Sequence, residues 1–120
     1  MTTAINPLGL HKLLTLKVDD LVLLTHQELF RKFTDNLLLQ YDLEQVGFSS
    51  FEFENNSYTA AYCLKESHIC IHTWPESNQL TLDVYLCNYS QDNSGKVKAI
   101  AKEYIAFFKA EIINEFEINR

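Results

Sequence analysis

The residues most able to do chemistry crowd into one stretch, Glu66-Ser67-His68-Ile69-Cys70-Ile71-His72-Thr73-Trp74-Pro75-Glu76, with Asp83 and Cys87 following shortly after it. A hydroxyl with imidazoles and a thiol nearby permits nucleophilic or acid–base catalysis without identifying the reaction. In an extended segment His68, Cys70 and His72 share one face and are suitable metal ligands. No second cluster supplies an obvious fourth ligand, so no metal is expected. Ser67 and His72 would face opposite sides of one regular strand; either the backbone bulges or the strand begins after Ser67.

The elements that must position these residues follow from periodicity. Leu10 to Val18 reads as a first strand, with Leu10, Leu14, Leu16 and Val18 on one face. Thr25 followed by Glu28 looks like a capping box, and Leu29, Phe30, Phe33, Leu37 and Tyr41 recur at helical spacing, which predicts a helix from about Thr25 to Tyr41. Phe48 to Glu54 and Tyr58 to Lys65 read as a hairpin around Asn55, Asn56 and Ser57. Ser67 to Thr73 and Gln79 to Cys87 are two further strands joined through Trp74 to Asn78; Leu80, Leu82, Val84 and Leu86 form a core face, and Thr81, Asp83, Tyr85 and Cys87 a partly polar one. After the polar stretch Asn88 to Ser94, a long amphipathic helix is predicted, its stripe made of Val97, Ile100, Ala101, Tyr104, Ile105, Phe108, Ile112 and Phe116. Strand, helix, four strands and helix make an α+β fold, a two-layer α/β sandwich with a mainly antiparallel sheet and two helices on one face.

Composition bounds the function. A chain of 120 residues has room for a single domain, residues 1–120. Ten Lys+Arg against sixteen Asp+Glu give a net charge of −6, and no basic cluster is present to neutralise phosphates, so nucleic acid is not an expected partner. Cys63, Cys70 and Cys87 form an odd set without Cys-x-x-Cys spacing, which fits a reducing, cytoplasmic setting. The amino-terminal residues lack a basic n-region, and no apolar run approaches the roughly 18 residues of a membrane span, so neither export nor a membrane is expected.

The string ESHICIHTWPE, with Cys87 twenty residues after Ser67, closely resembles the signature of the prokaryotic S-adenosylmethionine decarboxylases, small pyruvoyl enzymes of spermidine synthesis that cleave themselves at a Glu-Ser bond. Gly9-x-His11 resembles the family's early Gly-x-His. The resemblance implies self-cleavage between Glu66 and Ser67 into a β chain, 1–66, and an α chain, 67–120, with Ser67 becoming the covalent pyruvoyl cofactor. Its hydroxyl would attack the Glu66 carbonyl to form an ester, and loss of the Ser67 α-proton would expel the carboxylate. His72 matches the processing base and Thr59 a second processing hydroxyl, usually serine.

The resemblance further implies that the ketone forms a Schiff base with the substrate's amine and accepts the electrons released with CO₂. Cys87 matches the proton donor, a task that suits a thiol, mostly protonated at neutral pH. Phe53 and Trp74 match aromatics that sandwich adenine, and Glu76 matches the carboxylate on the ribose hydroxyls. The family's protomers pair into αββα homodimers whose sites draw on both chains.

The sequence departs from the family at Phe51, Asn55, Ser57, Ala60, Asn88 and Thr15, positions that bear on the substrate pocket more than on self-cleavage. Alternative readings are therefore a pyruvoyl-dependent arginine or ornithine decarboxylase, and a non-processing homologue acting as a binding partner. The small-molecule substrate is cationic in every enzyme reading, which suits an acidic body.

Overall fold

The computed structural model describes residues 8–88 and 91–120. The first seven residues, where no leader is expected, and Tyr89 and Ser90 in the polar stretch before the last helix lie outside the described residues. Strand β1 (Leu10–Lys17) leads into helices α1 (Leu21–Thr25) and α2 (Gln27–Gln40). Strands β2 (Gln45–Glu52), β3 (Tyr58–Leu64), β4 (Ser67–Trp74) and β5 (Gln79–Leu86) follow, with a 3₁₀ turn at Pro75–Ser77 between the last two. Helix α3 (Ser94–Phe108) and strand β6 (Glu111–Asn119) complete the chain. The six strands form one antiparallel sheet in the order β2-β3-β4-β5-β1-β6.

One sheet face is covered by the helices. Leu14, Leu16, Ile69, Ile71, Leu82 and Val84 are buried there. Phe30 of α2 stacks on Tyr104 of α3, their ring centroids 5.8 Å apart, and also meets the Tyr58 and Tyr62 rings of β3. Each such large side chain stabilises the fold by roughly 1.5–3 kcal/mol through burial. The buried hydroxyls are satisfied: Tyr104 bonds Thr34 at 2.7 Å, and Tyr58 donates to the Leu23 carbonyl. The alternation read in β5 holds, with Leu80, Leu82, Val84 and Leu86 buried. The opposite face carries no helix, and His68, Cys70, Asp83, Tyr85, Leu13 and Phe116 lie on it.

Two expectations are corrected. The helix predicted from about Thr25 to Tyr41 is α2, Gln27–Gln40, but it does not start at a Thr25 cap, and a short helix that periodicity did not predict, α1, precedes it. Asp20 caps α1, its carboxylate accepting from the Val22 N–H, while the Thr25 hydroxyl donates to the Leu21 carbonyl and forms no capping box. A hydroxyl bonded back to its own preceding turn is not accepting from the first turn of the next helix, as a capping box requires.

The second correction concerns the carboxy-terminal stripe. The long helix ends at Phe108, where Lys109 takes a left-handed conformation (φ 49°), and Ile112 and Phe116 belong to β6. Their spacing of four mimicked a helical turn. In the strand, a bulge separates them: Ile112 pairs with Leu16 on the helix side and Phe116 with Leu13 on the open side. On the helix side of β6, Glu115 and Glu117 hold the buried ammonium of Lys12. Burial alone would lower the Lys12 pKa, but those two hydrogen bonds raise it on balance.

Gly9 is required by close approach. A Cβ there would collide with the Leu86 carbonyl oxygen and lie 2.9 Å from the Cys87 Cα. Backbone cannot yield as a flexible side chain does. Gly9→Ala should cost about 3 kcal/mol, the upper end of overpacking effects, and lower the melting temperature by about 10 °C. Thermal unfolding followed by circular dichroism measures this; an unchanged midpoint would contradict the close approach.

Candidate active site

The reactive residues gather in two clefts at opposite ends of β4. The first, about 280 Å³, adjoins the start of the strand and includes Glu66, Ser67, Leu86, Cys87, Asn93 and Lys96 in its wall. Strands β3 and β4 are joined by only Lys65 and Glu66. Glu66 is left-handed (φ 58°), a conformation that is costly for a residue with a side chain and stores strain beside the Glu66–Ser67 bond. Ser67 opens β4, and its Oγ accepts the Cys87 N–H at 3.1 Å. The structure thus brings Glu66, Ser67 and Cys87 together.

The second cleft, about 340 Å³, is walled by Phe53, Asn55, Ser57, Thr59, His72, Trp74 and Glu76, among others. Thr59 and His72 are cross-strand partners, and their Oγ1 and Nδ1 lie 2.8 Å apart. Phe53 and Trp74 are large aromatics left half-exposed, at 50% and 41%. Phe53 is held by the hairpin turn, where its N–H donates to the Ser57 carbonyl and Asn55 Oδ1 accepts from both the Ser57 N–H and its hydroxyl. Glu76 sits in the 3₁₀ turn after Trp74.

Within one chain the two clefts do not meet. At about 3.3 Å per strand residue, His72 lies about 16 Å along β4 from Ser67. By register it also points to the open face, while Ser67 falls with Ile69 and Ile71 on the helix side. No bulge interrupts β4 to bring the two together.

Between the clefts the open face carries a cluster that sequence reasoning did not assemble. Ligand atoms of His11, His68 and Asp83, from β1, β4 and β5, all lie within 4.8 Å of one another. It differs from the trio His68, Cys70 and His72 that spacing along one strand put on a common face, since Cys70 and His72 are not part of it. His11 Nε2 is buried without a hydrogen-bond partner, 3.7 Å from Asp83 Oδ2. These atoms could hold a small cation, but the Arg120 guanidinium, 3.2 Å from His11 Nδ1, places a positive charge against one. Burial, then the neighbouring His11, lowers the His68 pKa. Burial, then Asp83, raises that of the Cys70 thiol. Spacing along one strand could not reveal a cluster that spans three.

Fold and clefts together define a small α+β enzyme whose reactive groups lie at the ends of one central strand. The S-adenosylmethionine decarboxylase family model matches residues 11–120. The chain is 34% identical over 99 residues to the S-adenosylmethionine decarboxylase proenzyme of a Sulfurihydrogenibium species, covering 82% of this chain and 70% of that protein. It is 34% identical over 85 residues to the proenzyme of Clostridium botulinum strain Loch Maree, covering 71% and 69%, and 28% identical over 98 residues to that of Archaeoglobus fulgidus, covering 82% and 84%. The crystal structure of the Aquifex aeolicus adenosylmethionine decarboxylase superposes with a TM-score of 0.77, covering 97% of this chain and 91% of that one at 24% identity, a likeness of fold. The chain belongs to the S-adenosylmethionine decarboxylase family.

Proposed function

We propose that this chain is a proenzyme that cleaves itself between Glu66 and Ser67 into chains 1–66 and 67–120 and then decarboxylates S-adenosylmethionine in the cytoplasm, supplying spermidine synthesis. The observation that carries the reading is Ser67 itself: it follows a strained Glu66, opens β4, and presents its Oγ to the Cys87 N–H beside a cleft. A donor aimed at that oxygen favours the alkoxide character it takes as its proton leaves, before its electron pair goes to the Glu66 carbonyl carbon and the charge passes to that carbonyl's oxygen.

The residues present fit a pyruvoyl group at position 67, since the residue that would carry it borders both the cleft and Cys87. Such a group supplies a ketone conjugated to an amide, an acceptor for the electron pair released with CO₂. Cys87 holds the proton that the substrate carbon then needs. Phe53 and Trp74 offer faces to a purine and to a sulfonium cation, and Glu76 can accept from two ribose hydroxyls.

The separation of the clefts supports a homodimer in which each site is composite. Two sheets stacked through their open faces about a two-fold axis form an αββα sandwich. Antiparallel stacking of this kind lays the His72 end of one protomer over the sheet end of the other where β4 begins, so that Thr59 and His72 reach the partner's Ser67 around that strand end, from the cleft it walls. His72, bonded to Thr59, is then the base that takes the Ser67 hydroxyl proton.

Release of CO₂ from carboxyl-labelled S-adenosylmethionine, arginine and ornithine tests the substrate. Release from S-adenosylmethionine alone is expected. Release from either amino acid without S-adenosylmethionine turnover would move the chain to the other decarboxylase class.

A further inference from the structure

Asn93 occupies the N-cap position of α3, where an asparagine ordinarily accepts a hydrogen bond from the first turn of its own helix. Its side chain makes no capping bond. Instead its Nδ2 donates to the Cys87 carbonyl at 2.9 Å, and its backbone N–H donates to Asn88 Oδ1 at 2.7 Å. The Ser94 N–H is taken by Asp92 Oδ1. The helix start is thus left to Asp92, and the Asn93 side chain, which would ordinarily cap it, clasps the segment just beyond β5. The clasped residue, Cys87, is the one whose N–H reaches Ser67 Oγ. Asn93 and Cys87 wall the same cleft.

We propose that Asn93, braced by Asn88, is a positioning residue that fixes Cys87 against Ser67, both for self-cleavage and for later proton delivery. The inference rests on the roles proposed above for Ser67 and Cys87. A Cys87 backbone free to drift would aim its N–H less well at Ser67 Oγ, slowing ester formation. It would also aim the thiol less well between two carbons that can take the proton. Protonation at the substrate carbon completes decarboxylation. Protonation at the other carbon leaves the α chain ending in alanine, its nitrogen taken from the substrate's amine, while the decarboxylated substrate departs as an aldehyde.

Asn93→Asp separates this role from helix capping. Aspartate is as good an N-cap and suits the helix dipole, so the fold should hold. It has no N–H to give the Cys87 carbonyl and sets a carboxylate against it. The precursor variant is incubated and its cleavage followed by intact mass, alongside its melting temperature. The expected result is about tenfold slower self-cleavage, roughly the loss of one hydrogen bond's worth of alignment, with melting within a few degrees of the parent. Chains that do mature should show several-fold more alanine-ended α chain per turnover, read by mass. Asn88→Ala should move both readouts the same way by less. Parent rates of cleavage and alanine formation in Asn93→Asp would overturn the inference alone, as would slower cleavage matched by a loss of folding. A parent chain that never cleaves would overturn the proposed function and this inference with it.

Discussion

A Ser67→Ala chain should remain one intact polypeptide of 120 residues through prolonged incubation, whereas the parent should separate into fragments of 66 and 54. The substitution removes the only atom at that position able to attack the Glu66 carbonyl, so the loss is of the reaction and not of a fraction of its rate. Folding should survive. Ser67 stands at the first residue of β4, and its Oγ accepts a hydrogen bond from the Cys87 N–H. Losing that bond costs about 1 kcal/mol, small beside the core that Phe30, Tyr58, Tyr62 and Tyr104 build. Intact-mass measurement on a folded sample decides the matter: 66- and 54-residue fragments from Ser67→Ala would show that cleavage uses another nucleophile.

The second large effect concerns two inactive chains that repair one another. His72→Ala alone should not cleave, because the imidazole bonded to Thr59 is gone. Ser67→Ala alone should not cleave either. Mixed as co-folded dimers, however, the His72→Ala chain retains Ser67 and can receive His72 of its partner. Random pairing makes half the dimers mixed, and one chain in each of those is competent, so about a quarter of all chains should be cut. Every cut chain should carry the His72→Ala mutation, which mass resolves. If His72 served Ser67 within its own chain, mixing would give no cleavage at all, and the composite site would be wrong. The geometry makes the positive outcome the expected one, since about 16 Å of regular strand separates the two residues in one protomer.

Much of the sheet was legible in the sequence. The strict alternation of Leu80, Leu82, Val84 and Leu86 and the turn residues Asn55 to Ser57 act locally, so pattern alone could find them. The errors came where a local pattern served two periods. Ile112 and Phe116 fit a helix by spacing, and no glycine marked the helix end because Lys109 takes the left-handed turn itself. Asp20 was a cap in plain sight, obscured by the Thr25 and Glu28 pair. At the site, residue types and the motif singled out Ser67, His72 and Cys87, yet their grouping into two distant clefts depends on sheet register. The Asn93 contact with Cys87 joins a helix start to a strand end, and no spacing rule announces it.

The strand order has a kinetic consequence for a cut chain. Residues 1–66 supply β1, β2 and β3, and residues 67–120 supply β4, β5 and β6, yet β1 lies between β5 and β6. The two pieces are interleaved rather than adjacent, joined along β3–β4, β5–β1 and β1–β6. Before cleavage the protomer can fold as a unimolecular event. Afterwards, neither fragment holds a complete sheet, and recovery from denaturant becomes a bimolecular assembly whose rate rises with concentration. The precursor's peptide bond at Glu66 would thus act as a folding tether, discarded once the sheet has closed around β1.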